Sequence, residues 1–439
     1  MRHEATDVRM MGTRHETIDA QKRGARHETI DEPRVSRLAS RTARASGLTS
    51  RAPTSWPKVK LGTICSRVTS GGTPSTKRPE YYGGTIPWLR TQEVDFKPIY
   101  STELFITEDG LNNSSAKWIP ENTVIVAMYG ATAGRSAITK IALTTNQACC
   151  NLIIDEAQAD YRFVYYSLRL RYEELEGLAK GSAQTNLNAG IIKEFQIPLP
   201  PLSVQRHIAD ILSAYDDLIE NNRRRIAILE ETARLAYRKW FNENRSLIAS
   251  VRIGEFIELQ NGFAFKSNTF VEAGQYKIIT IKNVKDVIVD SGNVAFVNRI
   301  PERMPIHCRI HPRDILLSLT GNVGRVSIAI DHDGLLNQRV AKVKSDFPWC
   351  SLLFLTSNES FSLMNNLAVG AAQQNLSPVK LCDEFVEMPI RVKMAQIEKL
   401  VAPLFDQIVL LAQQNTTLAA GRDMLLPRLM KGQSCFSSL

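Results

Sequence analysis

The stretch Tyr129–Ser136, "YGATAGRS", follows the apolar run "TVIVAM" and decides how the rest of the chain is read. A strand entering a glycine-bracketed loop is the setting of a phosphate cradle. The Walker A loop needs four residues between its glycines, then Lys and Ser or Thr. Here three residues separate Gly130 from Gly134, and Arg135 stands in the lysine's place. One residue fewer changes which backbone N–H groups can converge on a phosphate, so the match fails on geometry. The stretch also has a second copy: "LTGNVGRVSIA" from Leu319 follows another apolar run, "DILLS".

Working outward from these two loops, the repeat extends along most of the chain. "VKLGTI" from Val59 matches "VRIGEF" from Val251, an offset of 192 residues. Gly130 and Gly321 lie 191 apart, Arg135 and Arg325 lie 190 apart, and "TNQ" ending at Gln147 matches "LNQ" ending at Gln338 at 191. "GSAQTNL" from Gly181 matches "GAAQQNL" from Gly370 at 189. Blocks kept in order at a slowly wandering offset are two diverged copies of one domain; a period this long is a tandem domain, not a solenoid.

A length of 439 residues suits two or three domains with their own cores. With 44% apolar and 23% charged residues the composition is that of a soluble globular protein. No apolar run approaches the roughly 20 residues that cross a bilayer, and the N-terminus does not read as a signal peptide. Seven cysteines, none in a C-x-x-C pair, point to reduced thiols and a cytoplasmic location. "HCRIH", His307 to His311, could in principle hold a metal, but no second ligand pair accompanies it. Residues 1–55 stand apart: "RHE" recurs at a 12-residue period, large apolar residues are scarce, and 11 Lys/Arg stand against 7 Asp/Glu. This predicts a disordered basic tail, either a non-specific nucleic-acid arm or an extension without a role.

Each copy runs through short strands and Gly/Pro/Asn loops into one long helix. Pro200 and Pro201 forbid helix, Ser203 is a candidate N-cap, and the pattern continues to about Trp240. The expected seam is Val204, Ile208, Ile211, Tyr215, Leu218, Asn222, Ile226, Leu229, Ala233, Ala236 and Trp240: heptads with one four-residue stutter. The second copy gives Ile397, Val401, Leu404, Ile408, Leu411, Asn415 and Leu418, then Arg422, Leu425 and Leu429. Two such helices in one chain most simply pack on each other in antiparallel fashion. Pro403 should kink the second helix or mark a late start. Asn222 and Asn415 are either partly exposed seam positions or register-setting polar contacts.

No catalytic constellation is present: no H-E-x-x-H, no G-x-G-x-x-G after a strand, no N-P-P-Y-type motif. Asp216 and Asp217 sit on adjacent helix positions and point apart, and Asp331 and Asp333 flank His332 in turn chemistry. The loops instead carry groups that contact nucleic acid. "TSGGTPSTKRPEYYGG" from Thr69 supplies Ser70, Thr73, Ser75, Lys77, Arg78 and Tyr81; "QNGFAFKSNTF" supplies Gln260, Asn261 and Lys266. Hydroxyls and cations suit phosphate oxygens, and Asn, Gln and Arg suit base edges.

The strings "SGGTPS…PEYYGGTIPW", "YGATAGR", "TNQACC", "GFAFKS", "LTGNVGRVSIA" and "LNQRVAKV", in this order, resemble the specificity subunit of type I restriction–modification systems, over about Trp56 to Gly432. The resemblance implies an α+β chain with two tandem target-recognition domains, each a mixed β-sheet with short helices followed by a long helix, the two helices packing as an antiparallel coiled coil. The implied boundaries are a tail 1–55, recognition domain 56–201, helix 202–245, recognition domain 246–392, helix 393–432 and tail 433–439. It implies a non-catalytic subunit that reads a bipartite site in double-stranded DNA and docks two methyltransferase subunits on its helices, with restriction subunits joining them. S-adenosylmethionine, ATP and Mg2+ would belong to those partners, and no membrane is involved. The interface would be Ile208, Ile211, Tyr215, Leu218, Asn222 and Leu229 with Ile397, Val401, Leu404, Ile408, Leu411, Asn415 and Leu418. A free-standing or orphan DNA-binding protein and a protein-only coiled-coil scaffold are the alternatives.

The repeat sorts the candidate contacts. Features shared by both copies cannot distinguish two half-sites, so Arg135 and Arg325, with Gln184, Asn186, Gln373 and Asn375, are scaffold or phosphate contacts. Base readers belong where the copies disagree: Lys77, Arg78, Tyr81, Arg90 and Gln92 in one, and Gln260, Lys266, Lys282 and Asn283 in the other. Trp88 and Trp118 are expected in the core.

Overall fold

The computed structural model describes residues 56–180, 186–285, 287–370 and 374–432. The two tails and the candidates Gln184 and Gln373 lie outside the described residues.

The run "TVIVAM" becomes the strand Val124–Ala127, buried at every position. Side chains alternate across a strand, and here each side meets its own core. Val124 and Val126 pack with Leu152, Phe163 and Ile208, whereas Ile125 and Ala127 pack with Leu89, Ile119 and Leu143. An apolar run with no polar alternation is therefore what a strand between two cores requires. The strand lies between Cys149–Ile154 and Ser136–Thr139, antiparallel to both. The full sheet adds Cys65–Ser70 at one edge and Pro98–Ile99, parallel, at the other. A second sheet places Tyr82–Leu89 parallel to Leu143–Thr145 and antiparallel to Leu104–Ile106.

The same plan recurs in the second copy. Ile315–Ser318 lies between Val340–Lys344 and Val326–Ile328, and Glu258–Asn261 takes the edge. Ile315 and Leu317 enter one core and Leu316 the other. Tyr276–Ile279 runs parallel to Gly334–Leu336 and antiparallel to Ala295–Val297. Among the described residues no strand of 58–198 pairs with one of 248–389.

The central helix, Leu202–Glu243, has its N-cap at Pro201 rather than Ser203, and no side chain caps it. At 42 residues it spans roughly 63 Å. The C-terminal helix, Arg391–Met430, starts early and continues through both Pro403 and Pro427. Each proline removes one backbone hydrogen bond; Pro403 lies on the exposed side of its helix. The two helices run in opposite directions, since Asp216 meets Arg422 while Asn222 meets Asn415. Each helix serves both β-rich bodies. The central helix starts in the first core with Ile208, Ala209 and Leu212 and ends in the second with Ala233 and Tyr237. The C-terminal helix starts in the second core with Met394, Ile397, Val401, Phe405 and Ile408, and ends in the first with Leu426, Leu429 and Met430.

The seam departs from expectation at Leu218, which is 51% exposed; Ile219, at 4%, takes the buried place. The stripe turns by one residue because Asp216 faces inward, where Arg422 neutralises it and Tyr166 donates to its Oδ2 at 2.5 Å. Tyr215 and Ile211 are half-buried, and Phe405 rather than Leu404 is fully enclosed, stacked on Trp349. Trp118 is also corrected: it is 45% exposed, on the two-residue strand Trp118–Ile119, whereas Trp88 is buried and donates to the Gly72 carbonyl.

Candidate nucleic-acid interface

Strand pairing brings the first copy's candidate loops to one end of its sheets. Parallel pairing puts Leu89 and Thr145 at the same end, and antiparallel pairing puts Ala127 beside Cys149. Loop-to-loop bonds then hold the ends together. The Gly72 N–H donates to the Thr145 carbonyl, Asn146 to that of Leu89, Met128 to that of Ala148, and Leu187 to that of Met128. The Thr132 hydroxyl donates to the Thr91 carbonyl at 2.7 Å, and Thr73 donates to the amide oxygen of Gln147.

The tight turn is fixed by its glycines. Gly130 and Gly134 have φ of 87° and 81°, and Gly321 and Gly324 have 73° and 80°. All four lie in the left-handed region that a Cβ disfavours. The equivalent bonds are present as well: Ala127 N donates to Arg135 O as Ser318 N does to Arg325 O, and Gly134 N to Ala127 O as Gly324 N to Ser318 O. One hydrogen-bond scheme is drawn twice.

On this frame the candidates separate. Ser70, Thr73, Ser75, Lys77, Arg78, Gln92 and Asn186 are exposed in the first copy, as are Asn261, Lys266, Lys282, Arg325 and Asn375 in the second. Tyr81 is half-buried, and Arg78 is engaged with Glu80. Arg90 pairs with Glu103 at 2.7 Å, and its Nε is buried without a partner among the described residues. Arg135 is tied down by Asp95 with its guanidinium over the Phe96 ring, while Arg325 reaches the Lys285 carbonyl. These arginines brace loop ends. Gln260 donates to Glu258, and that bond, reinforced by Lys344, holds the Glu258 carboxyl below its ordinary pKa. His307 of "HCRIH" ties a loop through its Nε2, 2.9 Å from the Asn261 carbonyl. Among the described residues no group of three His, Cys, Asp or Glu could hold a metal.

Asn283 is a correction. It is 2% exposed, accepts from the N–H and hydroxyl of Thr280, and donates to the carbonyls of Asp290 and Asn293. In the first copy Glu93 accepts from the Arg90 N–H in the same way. Both residues cap the loop after a strand, so Asn283 builds the frame; the exposed positions beside the caps are Gln92 and Lys282. Gln147 and Gln338 were within the quoted "TNQ" and "LNQR" strings without being singled out, and both lie exposed beside the tight turn.

The end of each body thus presents hydroxyls, amides and cations on a rigid backbone, a surface suited to duplex DNA, where phosphate contacts position and base-edge contacts specify. Residues 53–231 match the family model described as "Type I restriction modification DNA specificity domain". The "Type I restriction enzyme MjaIX specificity subunit" of Methanocaldococcus jannaschii is 28% identical over 414 residues, 87% of this chain and 94% of that protein. The EcoKI specificity subunit of Escherichia coli is 21% identical over 353 residues, 73% of this chain and 75% of that one. The crystal structure of the S subunit from M. genitalium shares the fold, with a TM-score of 0.53 at 18% identity, covering 87% of this chain and 98% of that chain. Over most of its length the chain is similar to type I restriction–modification specificity subunits.

Proposed function

We propose that this chain is the DNA-reading subunit of a type I restriction–modification complex, with each β-rich body acting as a target-recognition domain for one half of a bipartite site. The observation that carries the reading is the duplicated loop frame, alike in its hydrogen bonds and unlike in the exposed side chains it presents, such as Gln92 against Lys282. A common frame with different exposed groups is what two readers of different half-sites need. The paired helices act as an antiparallel coiled coil that spaces the two readers and docks two methyltransferase subunits; restriction subunits join that core. The chain itself contributes binding and no catalysis. S-adenosylmethionine, ATP and Mg2+ are handled by the partner subunits.

Exchanging residues 57–198 for the same segment of a relative tests this directly. Genome-wide mapping of methylated adenines should show one half of the recognised sequence altered and the other half kept. A change in both halves would rule out one reader per body.

A further inference from the structure

We propose that Arg339 and Thr320 read a single guanine in the half-site of the second body, in a cleft whose rim differs from the first body's at these two positions. The assignment rests on the proposed function and narrows it to named side chains. An open cleft of about 450 Å³ is lined by Leu319, Thr320, Gln338, Arg339 and Asn375. Its floor is built from backbone: Leu319 N donates to the Arg339 carbonyl at 3.0 Å, Leu376 N donates to the Leu319 carbonyl at 2.8 Å, and Thr320 bridges Asn375. The first body has the same floor, with Met128 bonded to Ala148 and Leu187 to Met128.

The rim is half shared and half not. Gln338 and Asn375 repeat as Gln147 and Asn186. The other two positions differ: Arg339 replaces Ala148, and Thr320 replaces Tyr129. Ala148 is 3% exposed and has no side chain that could reach a ligand, while Tyr129 packs against the first core. A guanidinium at this place therefore exists on one body only, and the short buried hydroxyl of Thr320 stands where the first body has the larger Tyr129.

Thr320 is 3% exposed, and its Oγ1 is buried without a hydrogen-bond partner among the described residues. A hydroxyl left in that state costs free energy that an arriving polar atom recovers. The exposed Arg339 stands at the mouth of the same cleft. Arginine's two parallel donors match the O6 and N7 acceptors of guanine in the major groove, the commonest specific contact of this kind. A phosphate contact carries no sequence information and would serve both bodies equally, yet the guanidinium is present in one. The edge of a base fits the asymmetry; the backbone does not.

The test is adenine-methylation mapping in strains carrying the complex with the wild-type chain, Arg339→Ala or Arg339→Lys, with thermal unfolding of each purified chain. The wild type should give a bipartite motif, one half of which survives exchange of residues 57–198. In Arg339→Ala, a guanine requirement within that surviving half should relax at least about tenfold, with every other position kept and the chain still folded. Arg339→Lys should retain part of the preference. An unchanged Arg339→Ala motif overturns the assignment alone. A uniform fall in modification at every site indicates a phosphate contact and also overturns it, as does a lowered unfolding midpoint with the guanine requirement intact. A wild type with no bipartite motif overturns the proposed function and this assignment with it.

Discussion

Asn222 and Asn415 meet across the helix pair, the Nδ2 of Asn222 donating to the Oδ1 of Asn415 at 3.0 Å. Asn415 Nδ2 in turn donates to the Ile219 carbonyl at 3.2 Å. An amide enclosed by helix faces has partners in one register only; sliding either helix by a turn leaves both amides unpaired. Of the two readings open from sequence, register control is the one this geometry supports. Asn222→Leu should cost about 1–3 kcal/mol in chemical unfolding, because Asn415 then lacks its partner. Asn222→Leu with Asn415→Leu should recover most of that loss while admitting other alignments. Light scattering should then detect mixed oligomers; a uniform monomer of wild-type stability would show that the amides do not set register.

The buried pair of Asp216 and Arg422, each below 10% exposed, joins the two helices to Tyr166 of the first body. Arg422 also binds Asp423, which reaches Arg169. Removing one member of a buried pair strands the other's charge, so Arg422→Leu should destabilise by about 3–5 kcal/mol. Asp216→Leu with Arg422→Leu should cost far less than the sum of the single changes. A double-mutant cycle in urea measures the difference, and additivity would argue that the ion pair is immaterial.

Burial also sets the alkaline limit. Cys150 and Cys350 are each pushed up to about 12 by desolvation, and Cys149, Tyr165, Tyr166 and Tyr237 are raised by the same cause. The folded state keeps protons that the unfolded chain releases, from about pH 8.5 for Cys and 10 for Tyr. Their stabilisation is whole below those values and is lost as pH climbs toward the folded pKa. Each buried thiol should steepen the decline by up to about 1.4 kcal/mol per pH unit. Urea midpoints should hold near pH 7–8 and fall from pH 9 upward, less steeply in Cys150→Ala. A flat profile to pH 11 would contradict the burial.

The tandem frame was legible because its blocks keep order and spacing, and because glycines at positive φ cannot be exchanged freely. The strand "TVIVAM" was legible for the same kind of reason: a run apolar at every position fits a strand between two cores. Leu218 was misread because hydrophobicity alone placed a leucine in the seam ahead of an aspartate. What buries Asp216 is Arg422, 206 residues away, a partner that local periodicity cannot supply. Asn283 was misread for a related reason. A loop asparagine looks the same whether it caps the backbone or faces a base, and only its structural equivalence to Glu93 separates the two. Arg339 lay in plain view in "LNQR", but its meaning depends on Ala148 being enclosed and on the Thr320 hydroxyl lacking a partner among the described residues, both products of packing.

The proposed spacing role makes a quantitative demand on the helix pair. The helices are zipped on both sides of the midpoint, by Asp216 with Arg422 and Asn222 with Asn415 toward the first body, and by Ala233 packed in a core with Val401 and Phe405 toward the second. Four residues inserted after Arg225 alone would leave nearly a turn of one helix without a facing turn, pulling one of these contacts out of register. Such a chain should be destabilised and poorly active. Matching insertions, four residues after Arg225 and four between Ile408 and Asn415, lengthen both helices by about 6 Å while almost restoring rotational phase, because four residues nearly complete a turn. DNA rises about 3.4 Å per base pair, so the paired insertion should move the methylated motif to about two more unspecified base pairs between unchanged half-sequences. Methylome sequencing of the single and paired insertions distinguishes the cases. Full modification at the original spacing by the paired variant would remove the helices from spacing and leave them docking alone.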